Sequence, residues 1–285
     1  MKIGVFDSGY GGLTILSKIR ERLGEYDYVY LGDNARTPYG TRSFEVIYQY
    51  TWQCVRRLFD EDCELVILAC NTASAKALRS IQQHELLDVW TKEGTDRKRV
   101  LGVIRPTVEA LISDKGTKDQ VPSDKVLHVG VLATPGTVAS CSYVIEIQKL
   151  LPAAVVTQQA CPMWVPLIEA GEHTGAGADY FVQKYVNELL SKDPLIDRII
   201  LGCTHYPLLY DKIRAATPSS VHLIAQGDIV AESLADYLLR HGELDDCLSK
   251  YGTCRYLTTE GSDRFCESAS IFLSENITAE HVSVE

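Results

Sequence analysis

Ile3-Gly4-Val5-Phe6-Asp7-Ser8-Gly9, followed in the same half of the chain by Leu68-Ala69-Cys70-Asn71-Thr72, returns later as Val129-Gly130-Val131-Leu132-Ala133-Thr134-Pro135-Gly136, followed by Leu201-Gly202-Cys203-Thr204-His205. Each half runs in the same order: an apolar run, a loop of small and hydroxyl residues, then a second apolar run ending at a cysteine. This echo predicts two related α/β units facing each other across a cleft. The competing reading is chance likeness between buried strands of an ordinary α/β chain.

Outward from these stretches, short apolar runs recur at residues 3–6, 28–31, 65–69, 100–104, 126–132, 154–156 and 199–201. Amphipathic stretches separate them, for example 44–59, 73–84, 180–190 and 229–240. Strands alternating with helices predict parallel sheets covered by helices on both faces. The tail adds a strand near 255–258 and a helix near 264–273. The polar stretches 92–99 and 113–125 read as surface loops, the first beside a domain boundary. The expected division is residues 1–98 with 208–285 as one α/β domain and 99–207 as the second.

Composition narrows the function. The chain has 285 residues, 46% hydrophobic and 23% charged, with a net charge of −10. It is large enough to bury a core without disulfides. The acidic balance argues against nucleic-acid and anionic-membrane partners. No apolar run is long enough to span a bilayer and no signal peptide is evident. Nine cysteines, an odd number, fit free thiols in a reducing cytoplasm.

Most buried thiols are small hydrophobes. Cys70 and Cys203 differ in sharing a matched context: each follows a strand and precedes hydroxyl and amide residues at the start of a helix. In open α/β sheets ligands bind beyond the strands' carboxyl ends, and a helix N-terminus lowers a thiol pKa and offers N–H donors to an anion. Asp7, at a strand end, is placed to take a thiol proton or orient an ammonium group; its plainer reading is a turn or helix-cap carboxylate. His205, two residues beyond Cys203, is placed to act as base or acid toward that thiol, or to be a structural hydrogen-bonding histidine. Two thiols on opposite faces of a carbon suit inversion of a stereocentre, one removing a proton and the other returning it. The carbanion between the two steps needs electrostatic stabilisation.

The motifs Gly4-Val5-Phe6-Asp7-Ser8-Gly9-Tyr10-Gly11-Gly12-Leu13-Thr14, Gly32-Asp33-Asn34-Ala35-Arg36-Thr37-Pro38-Tyr39-Gly40-Thr41-Arg42, Ala69-Cys70-Asn71-Thr72-Ala73-Ser74-Ala75, Gln159-Ala160-Cys161-Pro162 and Leu201-Gly202-Cys203-Thr204-His205-Tyr206-Pro207-Leu208-Leu209 resemble, in the same order, those of the aspartate/glutamate racemases, and within them the glutamate enzymes most closely. The resemblance implies two pseudo-symmetric flavodoxin-like domains with the active site in the cleft between them. It implies Cys70 and Cys203 as the two acid/base residues, with Asp7 assisting Cys70, His205 assisting Cys203, and Glu169 a family acid near the second thiol. Asp7, Ser8, Pro38, Tyr39, Gly40, Asn71, Thr72, Thr134, Thr137, Thr204 and His205 match substrate-contact positions. It further implies L- or D-glutamate as substrate, no metal and no pyridoxal phosphate or other cofactor, a homodimer, and D-glutamate supplied to peptidoglycan synthesis. Arg105-Pro106-Thr107 and Ala225-Gln226-Gly227 depart from the family pattern. With no extension before Ile3, activation by a peptidoglycan precursor is not expected.

Aspartate racemase is the nearest alternative; aspartate enzymes tend to carry an acid where this chain has His205. A zinc site from Cys203, His205, Cys70 and Cys161 lacks any Cys-x-x-Cys pair. Gly9-Tyr10-Gly11-Gly12-Leu13-Thr14 lacks the third glycine of a dinucleotide fingerprint, and no lysine in the motifs suits a Schiff base. A non-catalytic binding protein on this fold would be expected to have lost a thiol.

Overall fold

The computed structural model describes residues 1–94, 98–112, 126–273 and 275–284. Ten strands form two sheets: β1 (Lys2–Asp7), β2 (Tyr28–Gly32), β3 (Cys63–Leu68), β4 (Arg99–Gly102), β5 (His128–Ala133), β6 (Val155–Ala160), β7 (Arg198–Gly202), β8 (His222–Ile224), β9 (Cys254–Thr258) and β10 (Ala279–His281). One sheet has the order β10-β9-β2-β1-β3-β4, the other β6-β5-β7-β8, and every pairing is parallel. The order β2-β1-β3-β4 in the first sheet is matched by β6-β5-β7-β8 in the second. The sequence echo is therefore a topological one, with β1 corresponding to β5 and β3 to β7. In each sheet the connections leave the first strand to opposite sides, so β1/β3 and β5/β7 are the switch points where a crevice opens beyond the carboxyl ends.

Strand periodicity explains the layering. Ile3 and Val5 of β1 pack toward the helices Gly12–Arg22 and Gly227–Arg240, through Leu13, Leu16, Ile19, Val230, Leu234 and Leu238. Phe6, out of phase with both, points to the other face and packs with Val66 and Leu68 against Ile47, Val55 and Leu58 of the helix Phe44–Asp60. In the second sheet Val129, Val131 and Ile200 face one cluster, while Leu132, Ile199 and Leu201 face the other. Being buried on both faces, these strands read in sequence as continuous apolar runs.

The sheets divide the chain differently from the expected boundaries. β4 pairs with β3 in the first sheet through Val66 and Val100, although residues from 99 onward were assigned to the second domain. β8 pairs with β7 in the second sheet through Ile200 and Ile224, although it lies beyond the expected return at 208. An apolar run records burial but not the edge it joins, so both edge strands were open to misassignment. β8 and β10 themselves are three residues long with exposed polar members, and carry no apolar run to mark them. In the polar stretch 92–99, residues 92 and 93 end the helix Leu86–Glu93, where a loop was expected. The loop expected at 113–125 lies outside the described residues. Among the described residues, no helix is long and apolar enough to cross a membrane.

Candidate active site

The carboxyl ends of β1, β3, β5 and β7 meet around a cavity of about 90 Å³. Cys70, Asn71 and Thr72 reach it from beyond β3, Thr134 from beyond β5, and Cys203, Thr204 and His205 from beyond β7; Ser8, Pro38, Tyr39, Gly40 and Glu169 complete the expected set on its wall. Asp7 and Thr137 lie one layer behind. Asp7 accepts hydrogen bonds from Gly9 N–H at 2.9 Å and Thr204 Oγ1 at 3.4 Å. Thr137 Oγ1 lies 3.0 Å from Thr134 Oγ1 and 3.4 Å from Thr72 Oγ1, and the Thr72 and Thr134 hydroxyls are 3.0 Å apart. Three hydroxyls from both halves of the molecule thus form one buried cluster, with Thr72 and Thr134 on the cavity wall and Thr137 behind them.

The two thiols follow corresponding strands but are held differently. Cys70 caps the helix Asn71–Lys76: its Sγ accepts from Ala73 N–H at 3.5 Å and lies 3.2 Å from Ser8 Oγ. Cys203 enters a turn leading to the 3₁₀ segment Tyr206–Leu209, and its Sγ is 3.8 Å from His205 Nδ1. His205 Nε2 is 3.0 Å from Glu169 Oε1. The turn after β1 must pass very close to this group. A Cβ at Gly11 would lie 2.3 Å from both His205 Nδ1 and Thr204 Oγ1, so only glycine allows the approach.

Electrostatics separate the two sides. Burial, and then the neighbouring Asp7 carboxylate, push the Cys70 thiol up to about 12, against the opposing pull of Ser8 and the Ala73 N–H. This reverses the expectation that a helix N-terminus would lower that thiol: desolvation and a like charge outweigh the N–H contact. Cys70 therefore carries its proton at neutral pH. Burial raises Asp7 as well, partly offset by His205 and the backbone N–H groups of Gly9 and Gly12. For His205 burial acts downward, but the hydrogen bonds to Cys203 and Glu169 outweigh it and hold the imidazole up at about 10. Because the folded value lies above the ordinary 6.5, His205 stays cationic through neutrality and loses its proton only as pH rises through about 10. Its contribution to stability is present in full below pH 6.5 and fades across the same rise. Glu169→Gln removes the opposite charge and is expected to move the alkaline limb of kcat/KM down by about one to three pH units. A pH–rate profile of the variant checks this, and an unmoved limb would show that His205 does not set it.

Two expected contacts have their polar groups committed elsewhere. The Tyr39 hydroxyl donates to Asp33, which also takes hydrogen bonds from Arg36 and Thr259. The Asn71 amide is bonded to Gln226 and Tyr143. The wall also contains Thr37, Thr41, Pro135, Cys161, Pro162, Val165 and Pro166, which were not singled out as contacts. Thr37, Thr41, Cys161 and Pro162 lie inside the motifs quoted above. Val165 and Pro166 precede Glu169 by one helical turn in Trp164–Glu169, and that spacing was the available signal. Among the described residues no lysine or arginine lines the cavity; hydroxyls and the His205 imidazole are the side-chain donors on its wall.

The model of the Asp/Glu/Hydantoin racemase family matches residues 3–234. The chain belongs to this family. Among its racemase relatives, the glutamate racemase of Ruegeria sp. (strain TM1040) is 42% identical over 281 residues, covering 98% of this chain and 99% of that protein. The solved glutamate racemase of Francisella tularensis in complex with D-glutamate is 31% identical, with a TM-score of 0.83, covering 100% of this chain and 98% of that one. The Bacillus anthracis glutamate racemase isoform RacE1 is 30% identical at the same TM-score of 0.83, covering 99% and 97%.

Proposed function

We propose that the protein racemises glutamate without a cofactor, by proton transfer between two cysteines. The observation that carries this reading is the convergence of Cys70 and Cys203 on one cavity from corresponding positions in two matching sheets. Glutamate is favoured as substrate by the relatives of about 42% identity, all glutamate racemases, and by the relative solved with D-glutamate.

In this reading the amino acid lies with its α-carbon between the two sulfurs. Cys70 serves one face, with Asp7 and Ser8 beside it; Cys203 serves the other, exchanging protons with His205, which Glu169 holds in place. One sulfur, as thiolate, takes the α-proton while the other, as thiol, delivers its own to the opposite face. The pair then stands with its protonation states exchanged. The Thr72–Thr134–Thr137 cluster and the helix N-terminus at Cys70 supply neutral donors for carboxylate groups.

The same reading places the protein in the cytoplasm as a homodimer supplying D-glutamate for peptidoglycan. Nine free cysteines fit a reducing compartment. Circular dichroism of L-glutamate and L-aspartate incubated with dialysed protein tests the substrate. One methylene in a fitted pocket is worth about 10–200-fold in kcat/KM, and that margin is expected in favour of glutamate. Equal or reversed rates would make the protein an aspartate racemase.

A further inference from the structure

Thr107 and Gln226, from the stretches Arg105-Pro106-Thr107 and Ala225-Gln226-Gly227, meet behind the Cys70 side of the cleft. Gln226 Nε2 donates to Thr107 Oγ1 at 2.8 Å and lies 3.0 Å from the Tyr143 hydroxyl and 3.3 Å from Asn71 Oδ1. Asn71 returns a bond from Nδ2 to Gln226 Oε1 at 2.6 Å, and Tyr143 OH donates to Asn71 Oδ1 at 2.7 Å. All four side chains are buried: Asn71 is 2%, Gln226 3%, and Thr107 and Tyr143 0% exposed. The four come from different parts of the fold. Asn71 follows Cys70 and opens its helix, Thr107 lies in the helix Ile104–Glu109 beyond β4, Tyr143 in the helix Ser142–Leu150 beyond β5, and Gln226 between β8 and the helix Gly227–Arg240. Each amide is a partner of the other, and a shift of any member would leave a buried polar atom without its partner.

We propose that Gln226 is a positioning residue for Cys70. It clamps the Asn71 amide between the two sheets and thereby fixes the first turn of the helix Asn71–Lys76, whose Ala73 N–H contacts the Cys70 sulfur. This rests on the reading of Cys70 as one of the two proton-transfer groups. Asn71 is directly bonded to Cys70 in the chain, so a displaced amide turns the cap and moves the sulfur relative to the α-carbon. Tyr143 also stands near the Cys203 side, its aromatic ring against Gly202, but the hydrogen bonds of the four-residue ring converge on Asn71, next to Cys70, and Cys203 is held instead by His205 and Glu169.

The consequence is directional. In a two-thiol racemisation each enantiomer begins with abstraction by one cysteine and ends with delivery by the other. If Cys70 alone is misplaced, abstraction by Cys70 becomes the slow step for one enantiomer, and the α-deuterium isotope effect on its kcat/KM rises. For the other enantiomer the slow step becomes delivery, after the C–H bond is already broken, and its isotope effect falls.

Gln226→Met keeps the side-chain length while removing every hydrogen bond, and Tyr143→Phe removes the second hold on the same amide. Both are compared with Cys70→Ser and Cys203→Ser, using α-deuterated L- and D-glutamate, with thermal melts of each protein. Gln226→Met is expected to lower kcat about tenfold or more, with the isotope effect rising for the same enantiomer as in Cys70→Ser. Tyr143→Phe shows the same asymmetry more weakly, and carries the test if the methionine variant does not fold. Isotope effects that change alike for both enantiomers, follow the Cys203→Ser pattern, or stay at wild-type values in a folded variant would overturn the proposal. If the two serine variants themselves show no opposite asymmetry, the two-thiol reading fails, and the role of Gln226 falls with it.

Discussion

Cys70→Ser and Cys203→Ser are each expected to lower kcat for racemisation in both directions by about 10²–10⁴-fold, the usual worth of a positioned acid/base group. Serine occupies nearly the same space and keeps the polar contacts. At position 70 it is a favoured helix cap and still meets Ser8 and the Ala73 N–H. At position 203 it still faces His205. What it lacks is the acidity of a thiol, since in the same surroundings a hydroxyl holds its proton far more tightly, so the loss falls on chemistry and not on folding. Steady-state rates from L- and from D-glutamate, with melting temperatures alongside, check this. Retention of activity within tenfold in either variant would remove that cysteine from the reaction.

The second large effect is expected at Asp7. Asp7→Asn preserves shape, and its remaining oxygen still accepts from Gly9 N–H, but the charge facing His205 and Cys70 is lost. If Asp7 acts electrostatically or as a proton acceptor beside Cys70, kcat falls about 10²-fold with little change in KM. If it only shapes the turn after β1, the asparagine variant stays within a few-fold of wild type. The split between kcat and KM at fixed pH decides which role it has.

The sequence carried the architecture well where burial and pattern coincide. β1, β3, β5 and β7 are buried on both faces, so their apolar runs stood out, and the repeated strand-to-cysteine order pointed to two related units with a cleft beyond their strand ends. What it could not carry was edge membership. Val100 and Ile224 look like any buried strand residue, yet they fix which sheet β4 and β8 join, and pairing between strands distant in the chain leaves no local trace. The site divides in the same way. Cys70, Asp7, Cys203 and His205 were legible because chemistry-bearing residues at strand ends are few. The ring of Asn71, Thr107, Tyr143 and Gln226 was not, because its members are up to 155 residues apart and no local pattern records that they meet. The Cys70 proton affinity was misjudged for a related reason. A helix start is visible in sequence, but the burial and the Asp7 charge that outweigh it are properties of the assembled cleft.

The central claim is that two different groups handle the α-proton, one on each face. The most direct test is to incubate L-glutamate with the enzyme in D₂O, stop at low conversion, and measure α-deuterium separately in the D-glutamate formed and the L-glutamate remaining. Two thiols predict D-glutamate carrying solvent deuterium at the α-carbon and unreacted L-glutamate still carrying protium. D-glutamate that retains the substrate's own α-proton would mean that a single base serves both faces, and would contradict the account.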